Sequence, residues 1–251
     1  MRTMVVILVA AASACGQDSK PPSEEAKLAD QLNALAAEAV RAHQARKYAD
    51  AVDQWRQALE IVQKLYPPIT HPKGHVNIAR AWSNLAKSLS AWGQHEEALR
   101  AHQQTVAIFR KLYPPADYPA GHAEFAAALS NVANTLHALG RPEQALEYSQ
   151  ESLEMRRKLY PAAKFANGHS ELAAGFNSMG FTLVAMGEAD RALEYFEQNL
   201  AMCQKLYPPS KSPDGNSQVA IALGNMGFVL RAMGQPERAL EYFKRSVEMR
   251  R

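Results

Sequence analysis

Lys64-Leu65-Tyr66-Pro67 reads KLYP, and the same four letters return at Lys111–Pro114, Lys158–Pro161 and Lys205–Pro208, a step of 47 residues each time. Other markers keep that step. Gly93, Gly140, Gly187 and Gly234 recur in register, as do the pairs Ala98-Leu99, Ala145-Leu146, Ala192-Leu193 and Ala239-Leu240. Glycine followed by histidine stands at Gly74-His75, Gly121-His122 and Gly168-His169, with Gly215-Asn216 as the fourth copy. Independent markers in one register define a repeat array, in which each unit buries its apolar face only against its neighbours.

Within a unit the spacing predicts two helices. Over Ala123–Leu139, residues Leu129, Val132, Ala133 and Leu136 fall at i, i+3, i+4 and i+7, one apolar stripe of an amphipathic helix. Gly140 ends that helix, as glycine in the left-handed conformation does. A second helix starts near Pro142 and buries Ala145, Leu146, Ser149 and Leu153. Arg156, Arg157 and Lys158 sit in its last turn, where positive charge suits the helix dipole. The stretch 114–121, PPADYPAG, is the loop to the next unit.

These units resemble the tetratricopeptide repeat, a helix–turn–helix unit with small residues at set positions. With Trp82 as its fourth position, the seventh, eighth and eleventh are Leu85, Ala86 and Leu89; the turn glycine is Gly93 and the small residue of the second helix is Ala98. The following units carry Leu129, Val132, Ala133, Leu136, Gly140 and Ala145, then Phe176, Met179, Gly180, Leu183, Gly187 and Ala192. The last reads Leu223, Met226, Gly227, Leu230, Gly234 and Ala239. The period departs from the usual repeat length of about 34; the excess lies in a longer second helix and the LYPP–GH loop. That form, with Asn84 before Leu85-Ala86, is similar to the kinesin-light-chain type of repeat in bacterial proteins. HEAT-like repeats share the longer period but suit the turn glycine and the Ala-Leu pair less well. The resemblance implies an all-α, right-handed α-solenoid of about five helix pairs.

A weaker unit spans 26–67, where Ala39, Ala42, Ala51 and Val52 keep the register and Arg46 replaces the glycine. It reads as an N-terminal capping repeat, with the tetratricopeptide-like units over 68–251. By register Arg251 matches Gln204, just short of a next KLYP. The expectation is a further C-terminal portion, or an apolar last face that meets a partner or a second copy of the chain.

The first residues read as an address. Met1–Ala14, MRTMVVILVAAASA, has one early arginine, an apolar stretch and small residues at its end, which suits a signal peptide and is too short to span a bilayer. Cys15 follows Ala12-Ser13-Ala14, and here the chain resembles a bacterial lipoprotein signal whose cysteine is lipidated; Ala12 stands where leucine is commoner. A plain signal peptide with an incidental Cys15 is the alternative. The polar segment 15–25 then reads as a flexible tether. Exported, envelope-anchored localisation is the expectation, with a secreted or periplasmic protein as the alternative.

Composition narrows the function. The 251 residues are 47% hydrophobic and 21% charged, without an apolar run of membrane-spanning length. Lys+Arg 28 against Asp+Glu 25 leaves a charge of +3, too small and too evenly spread for a nucleic-acid partner. Serines, histidines and carboxylates recur at repeat positions, and no catalytic constellation emerges. His75, His122 and His169 occupy one position in successive units; stacked helices lie about 8–10 Å apart, too far for those imidazoles to share a metal, so helix-start capping is the expected role. Cys203 aligns with Val62, Phe109 and Arg156 and reads as a small, unpaired, half-buried residue. Neither a cofactor nor a metal is expected.

A binding surface can be placed more closely. Arg80, Asn84, Lys87 and Ala91 lie about 140–200° around the helix from the Trp82 stripe. In the resembled family that side lines a concave groove. The positions matching Lys87 are Asn134, Phe181 and Phe228, and those matching Arg80 are Ala127, Ala174 and Ile221. The groove is therefore expected to be polar and cationic early in the chain and apolar late. Phe181 and Phe228 either anchor a partner or pack between adjacent first helices. Asn84, Asn131 and Asn225 repeat along the edge, with Ser178 breaking the row and Asn177 one place early. In the resembled family such amides bind the main chain of an extended peptide; the alternative is bridging between repeats. The resulting expectation is a non-catalytic, membrane-tethered scaffold for a partner peptide or helix, or the adaptor arm of a larger effector.

Overall fold

The computed structural model describes residues 23–208 and 216–249. The proposed signal peptide and Cys15 lie outside the described residues. Among those described, ten helices and no strands occur. They pair as α1 (Glu24–Gln44) with α2 (Tyr48–Leu65), α3 (Val76–Ala91) with α4 (His95–Leu112), α5 (Ala123–Ala138) with α6 (Pro142–Leu159), α7 (Ser170–Ala185) with α8 (Ala189–Leu206), and α9 (Ser217–Ala232) with α10 (Pro236–Glu248). Two compact units result: residues 1–114 hold α1–α4, and residues 115–251 hold α5–α10. The expected tether overlaps the first helix, since Ser23 caps α1 by accepting from Ala26 N at 3.2 Å.

The hairpin turn follows from one backbone feature. After α5, Gly140 takes φ +68°, its N–H donates to His137 O, and Arg141 N donates to Leu136 O at 2.9 Å. This six-to-one closure satisfies the last carbonyls of the helix and reverses the chain. The α1–α2 hairpin makes the same closure without glycine: Arg46 sits at φ 60°, and Lys47 N reaches Ala42 O. A non-glycine residue there costs about 1–2 kcal/mol.

Each unit has its own core. In unit 1, Trp55, Ala58, Leu85, Ala86 and Leu89 are buried, with Trp82 packed beside them. In unit 2, Phe176, Met179, Leu183, Phe196, Leu223 and Met226 form the continuous interior. Of the predicted inner positions of α6, Ala145, Ser149 and Leu153 are buried and Leu146 is half-buried.

A polar link recurs inside the hairpins and was not anticipated. Thr105, Ser152, Asn199 and Ser246, on α4, α6, α8 and α10, each donate to a first-helix carbonyl 26 residues earlier: Ala79, Ala126, Ala173 and Ala220, at 2.6–3.3 Å. All four side chains are buried. The link fixes the axial offset of one helix against the other.

Arg156 departs from its expected role at the helix end. It is 1% exposed and joins three helices, donating to Ser130 Oγ on α5 at 2.8 Å, to Ser152 Oγ on its own helix α6, and to Glu171 Oε2 on α7 at 3.3 Å. The dipole argument applies to the exposed Arg157 and Lys158 instead.

Candidate functional site

The repeated histidines do start helices. His75, His122 and His169 are the N-cap residues of α3, α5 and α7, and their Nδ1 atoms accept from the backbone N–H of Asn77, Glu124 and Glu171 at 3.2–3.3 Å. Asn216 does the same for α9, with Oδ1 accepting from Gln218 N at 2.8 Å. The tyrosine of KLYP explains why the two markers travel together: Tyr66 stacks on His75 at 3.6 Å, and Tyr160 on His169 at 3.7 Å, both nearly parallel. The cap requires a neutral imidazole. Burial, helped by His71 and Arg80, holds His75 below the ordinary histidine value.

No group of three or more His, Cys, Asp or Glu among the described residues is arranged to hold a metal ion. Cys203 is 5% exposed, more deeply placed than expected, and burial pushes its thiol up to about 11. No helix among the described residues is long and apolar enough to cross a membrane.

The predicted binding face falls on α3 in unit 1 and on α5, α7 and α9 in unit 2. In unit 1 the structure corrects one residue. Asn84 is fully buried, so its amide offers no open edge to an incoming chain. Lys87 is half-buried near His43, whose imidazole is held low by burial first and by Lys87 second; His43 Nδ1 in turn lies 3.2 Å from Ser88 Oγ.

In unit 2 the first helices stand side by side, α7 touching both α5 and α9. Asn131 is half-buried and Asn134 exposed on α5. Phe181 and Phe228 are both half-buried, with ring centroids 5.8 Å apart. Phe181 also meets the fully buried Phe196 edge-on at 5.3 Å, and the Arg231 guanidinium lies 5.8 Å from the Phe228 centroid. Part of each ring therefore serves packing between α7 and α9, and part remains open. Ile221, about two turns before Phe228, is 44% exposed. Together they form an apolar strip on one face of the first helices.

The asparagine row has a different geometry from the one its spacing suggested. Asn225 Nδ2 donates to Asn177 Oδ1 at 2.5 Å, bridging α9 to α7, while Ser178, in the row's formal register, is buried. The residue one place early makes the bond. Asn225 keeps its Oδ1 and a second N–H for other use.

Helical hairpins in fixed register, with a partly open strip on the first helices of unit 2, are the architecture of an interaction repeat. Models of the tetratricopeptide repeat match residues 78–118, 125–163 and 171–251, and the chain belongs to the tetratricopeptide repeat proteins. Among solved structures it is similar to BtubC (BKLC) from P. vanneervenii, with TM-score 0.68 and 20% identity over 90% of this chain and 82% of that one. It is also similar to a putative kinesin light chain from Podosopora anserina with nearly identical TPR-like repeats, with TM-score 0.69 and 20% identity over 90% of this chain and 96% of that one. The Rap conjugation gene regulator of the plasmid pLS20, solved in complex with the Phr* peptide, gives TM-score 0.60 and 17% identity over 94% of this chain and 58% of that one. No curated protein matches the chain.

Proposed function

We infer that this protein is a non-catalytic scaffold that holds a peptide or helix of a partner protein against the first helices of unit 2. The observation that carries this reading is the half-buried Phe181–Phe228 pair, flanked by exposed Ile221 and Asn134. An aromatic pair already ordered by its neighbours loses little entropy when a partner covers it, which suits an anchoring point. The remaining hydrogen-bonding capacity of Asn225 then meets the partner's backbone. The Rap regulator, solved with its peptide, is a protein of similar fold in a peptide complex. The leader sequence supports a lipid anchor at Cys15 and a place in a bacterial envelope.

The test is crosslinking and affinity capture from native envelopes, using wild-type chain and the Phe181→Ala/Phe228→Ala double variant. Loss of the captured partner, with helicity retained by circular dichroism, is expected. Unchanged capture by the folded variant refutes the site. Fatty-acid labelling with and without Cys15→Ala tests the anchor separately.

A further inference from the structure

A recess of about 290 Å³ opens in unit 2 between the α6–α7 loop and the outer side of α8. Its wall is aromatic and aliphatic, built from Phe165, Leu172, Phe176 and Met202, with Tyr160 beside them. Phe165 stands edge-on to both Tyr160 and His169, at 5.5 and 5.2 Å, so the floor is ordered by the tyrosine–histidine stack.

The repeat itself shows what makes the recess. The loops 67–75 and 114–122 carry prolines at two positions, Pro68 with Pro72 and Pro115 with Pro119; the α6–α7 loop carries Ala162 and Ala166 there, and both alanines line the opening. The backbone is not what changed. In the 67–75 loop Thr70 N and His71 N donate to Pro67 O and Gly74 N to His71 O; Lys164 N, Phe165 N and Gly168 N repeat those bonds. Space was gained by trimming side chains on an unchanged frame.

The charge at the mouth changed as well. Where α6 presents Glu151 and Glu154, α8 presents Gln198 and Ala201 at the same register, both in the lining. Lys205 is the single charged side chain among the lining residues, and the Arg157 guanidinium lies 5.8 Å from the Phe176 centroid. An apolar cavity whose rim is amide and ammonium, with no carboxylate in its lining, matches one ligand chemistry. We propose that this recess is a second binding site, for a monocarboxylate with an aromatic or branched aliphatic end. The apolar end fills the space against Phe165, Phe176 and Met202, and the carboxylate meets Lys205 and Gln198. Such a group belongs either to a free small acid or to the C-terminal residue of a peptide. None of these residues lies on the Asn–Phe face, so the two sites stand or fall separately.

The test uses the full chain with ¹³C-methyl methionine, following the Met202 resonance (assigned with Met202→Leu). The probes are 3-phenylpropionate, its amide, and Gly-Gly-Phe with a free or amidated C-terminus. The acid shifts Met202 and binds about tenfold more tightly than the amide, the value of one charge-assisted contact. Lys205→Gln removes that preference. Ala162→Pro/Ala166→Pro, which restores the side chains of the other loops, abolishes the shift while helicity is kept. Binding of free-acid Gly-Gly-Phe as tight as that of the small acid assigns a peptide terminus as the source; binding of the small acid alone assigns a free metabolite. No Met202 shift at about 10 mM acid, a range that reaches even weak millimolar affinity, overturns the proposal. Equal binding of acid and amide does so too.

Discussion

Gly180 and Gly224 occupy the interiors of α7 and α9 at different registers and in opposite surroundings. Alanine in place of glycine in a helix gains about 1 kcal/mol from backbone entropy. At Gly224, on α9, an added Cβ meets only Ser246 Oγ at 3.5 Å, an ordinary contact. Gly224→Ala is therefore expected to stabilise by about 0.5–1 kcal/mol. At Gly180, on α7, the same atom lands 2.8 Å from Cε1 and Cζ of Phe196 and 3.0 Å from its Cδ1. Carbon atoms rest at about 3.5–4.0 Å, and Phe196 is fully buried, with Phe181 edge-on against it. Overpacking of that kind costs about 1–3 kcal/mol, which outweighs the propensity gain and leaves Gly180→Ala about 1 kcal/mol less stable. The two variants then differ by about 2 kcal/mol, or roughly 1 M in urea midpoint at a slope of about 2 kcal/mol/M. Urea titration followed by far-ultraviolet circular dichroism reads this directly. Tryptophan fluorescence does not, because Trp55, Trp82 and Trp92 all lie in unit 1. A Gly180→Ala midpoint at or above wild type refutes the argument that Phe196 dictates glycine here. Because Phe181 rests on Phe196, the same variant also perturbs the aromatic strip.

Three further outcomes are expected. Arg156→Ala strips a buried three-helix junction and costs about 3–5 kcal/mol by chemical denaturation, whereas Arg156→Met, which keeps the volume, costs clearly less; equal losses would show that the hydrogen bonds to Ser130 and Glu171, and not the buried volume, carry the junction. His43, His75 and His137 are all held below the ordinary histidine value, chiefly by burial. The unfolded chain thus binds more protons than the fold just below about pH 6.5, so stability is full above that pH and falls as the solution is acidified through the window. The melting temperature drops between about pH 7.5 and 5.5, and His75→Asn, copying the cap at Asn216, narrows the drop; an unchanged drop contradicts the capping argument. Cys203, with its thiol pushed up to about 11, carries about a hundredfold less thiolate near pH 8 than an ordinary cysteine, so its peptide resists iodoacetamide until the chain is unfolded.

The hairpins were legible because their markers are local. Gly140, Pro142 and the Leu129–Leu136 stripe act within a turn or two of chain, and the structure places α5, its reversal and α6 where those residues predict. The histidine caps were readable for the same reason, since His75 bonds a backbone N–H two residues away. What escaped depends on contacts between helices. Arg156 lies in a last turn like its neighbours, and only its burial against Ser130 and Glu171 separates it from a dipole charge. Asn84 sits on the expected face by angle, yet packing closes over it. Asn177 shows the limit of strict register: the longer amide one position early reaches Asn225, and the in-register Ser178 turns out buried. The 26-residue links had a visible signal, since Thr105, Ser152, Asn199 and Ser246 are small polar residues at one register, each followed by an aliphatic one. The recess had one too, in the loss of paired prolines at Ala162 and Ala166.

The guanidinium junction also limits how such an array can evolve. Where Phe109 or Cys203 fills the same register, a period can be duplicated or excised and the new neighbours still present greasy surface to each other. The α5–α6–α7 seam has no such freedom, because a transplanted neighbour must arrive with both a hydroxyl and a carboxylate already in place. Growth and shrinkage of the chain by whole periods is therefore blocked at the α5–α6–α7 seam.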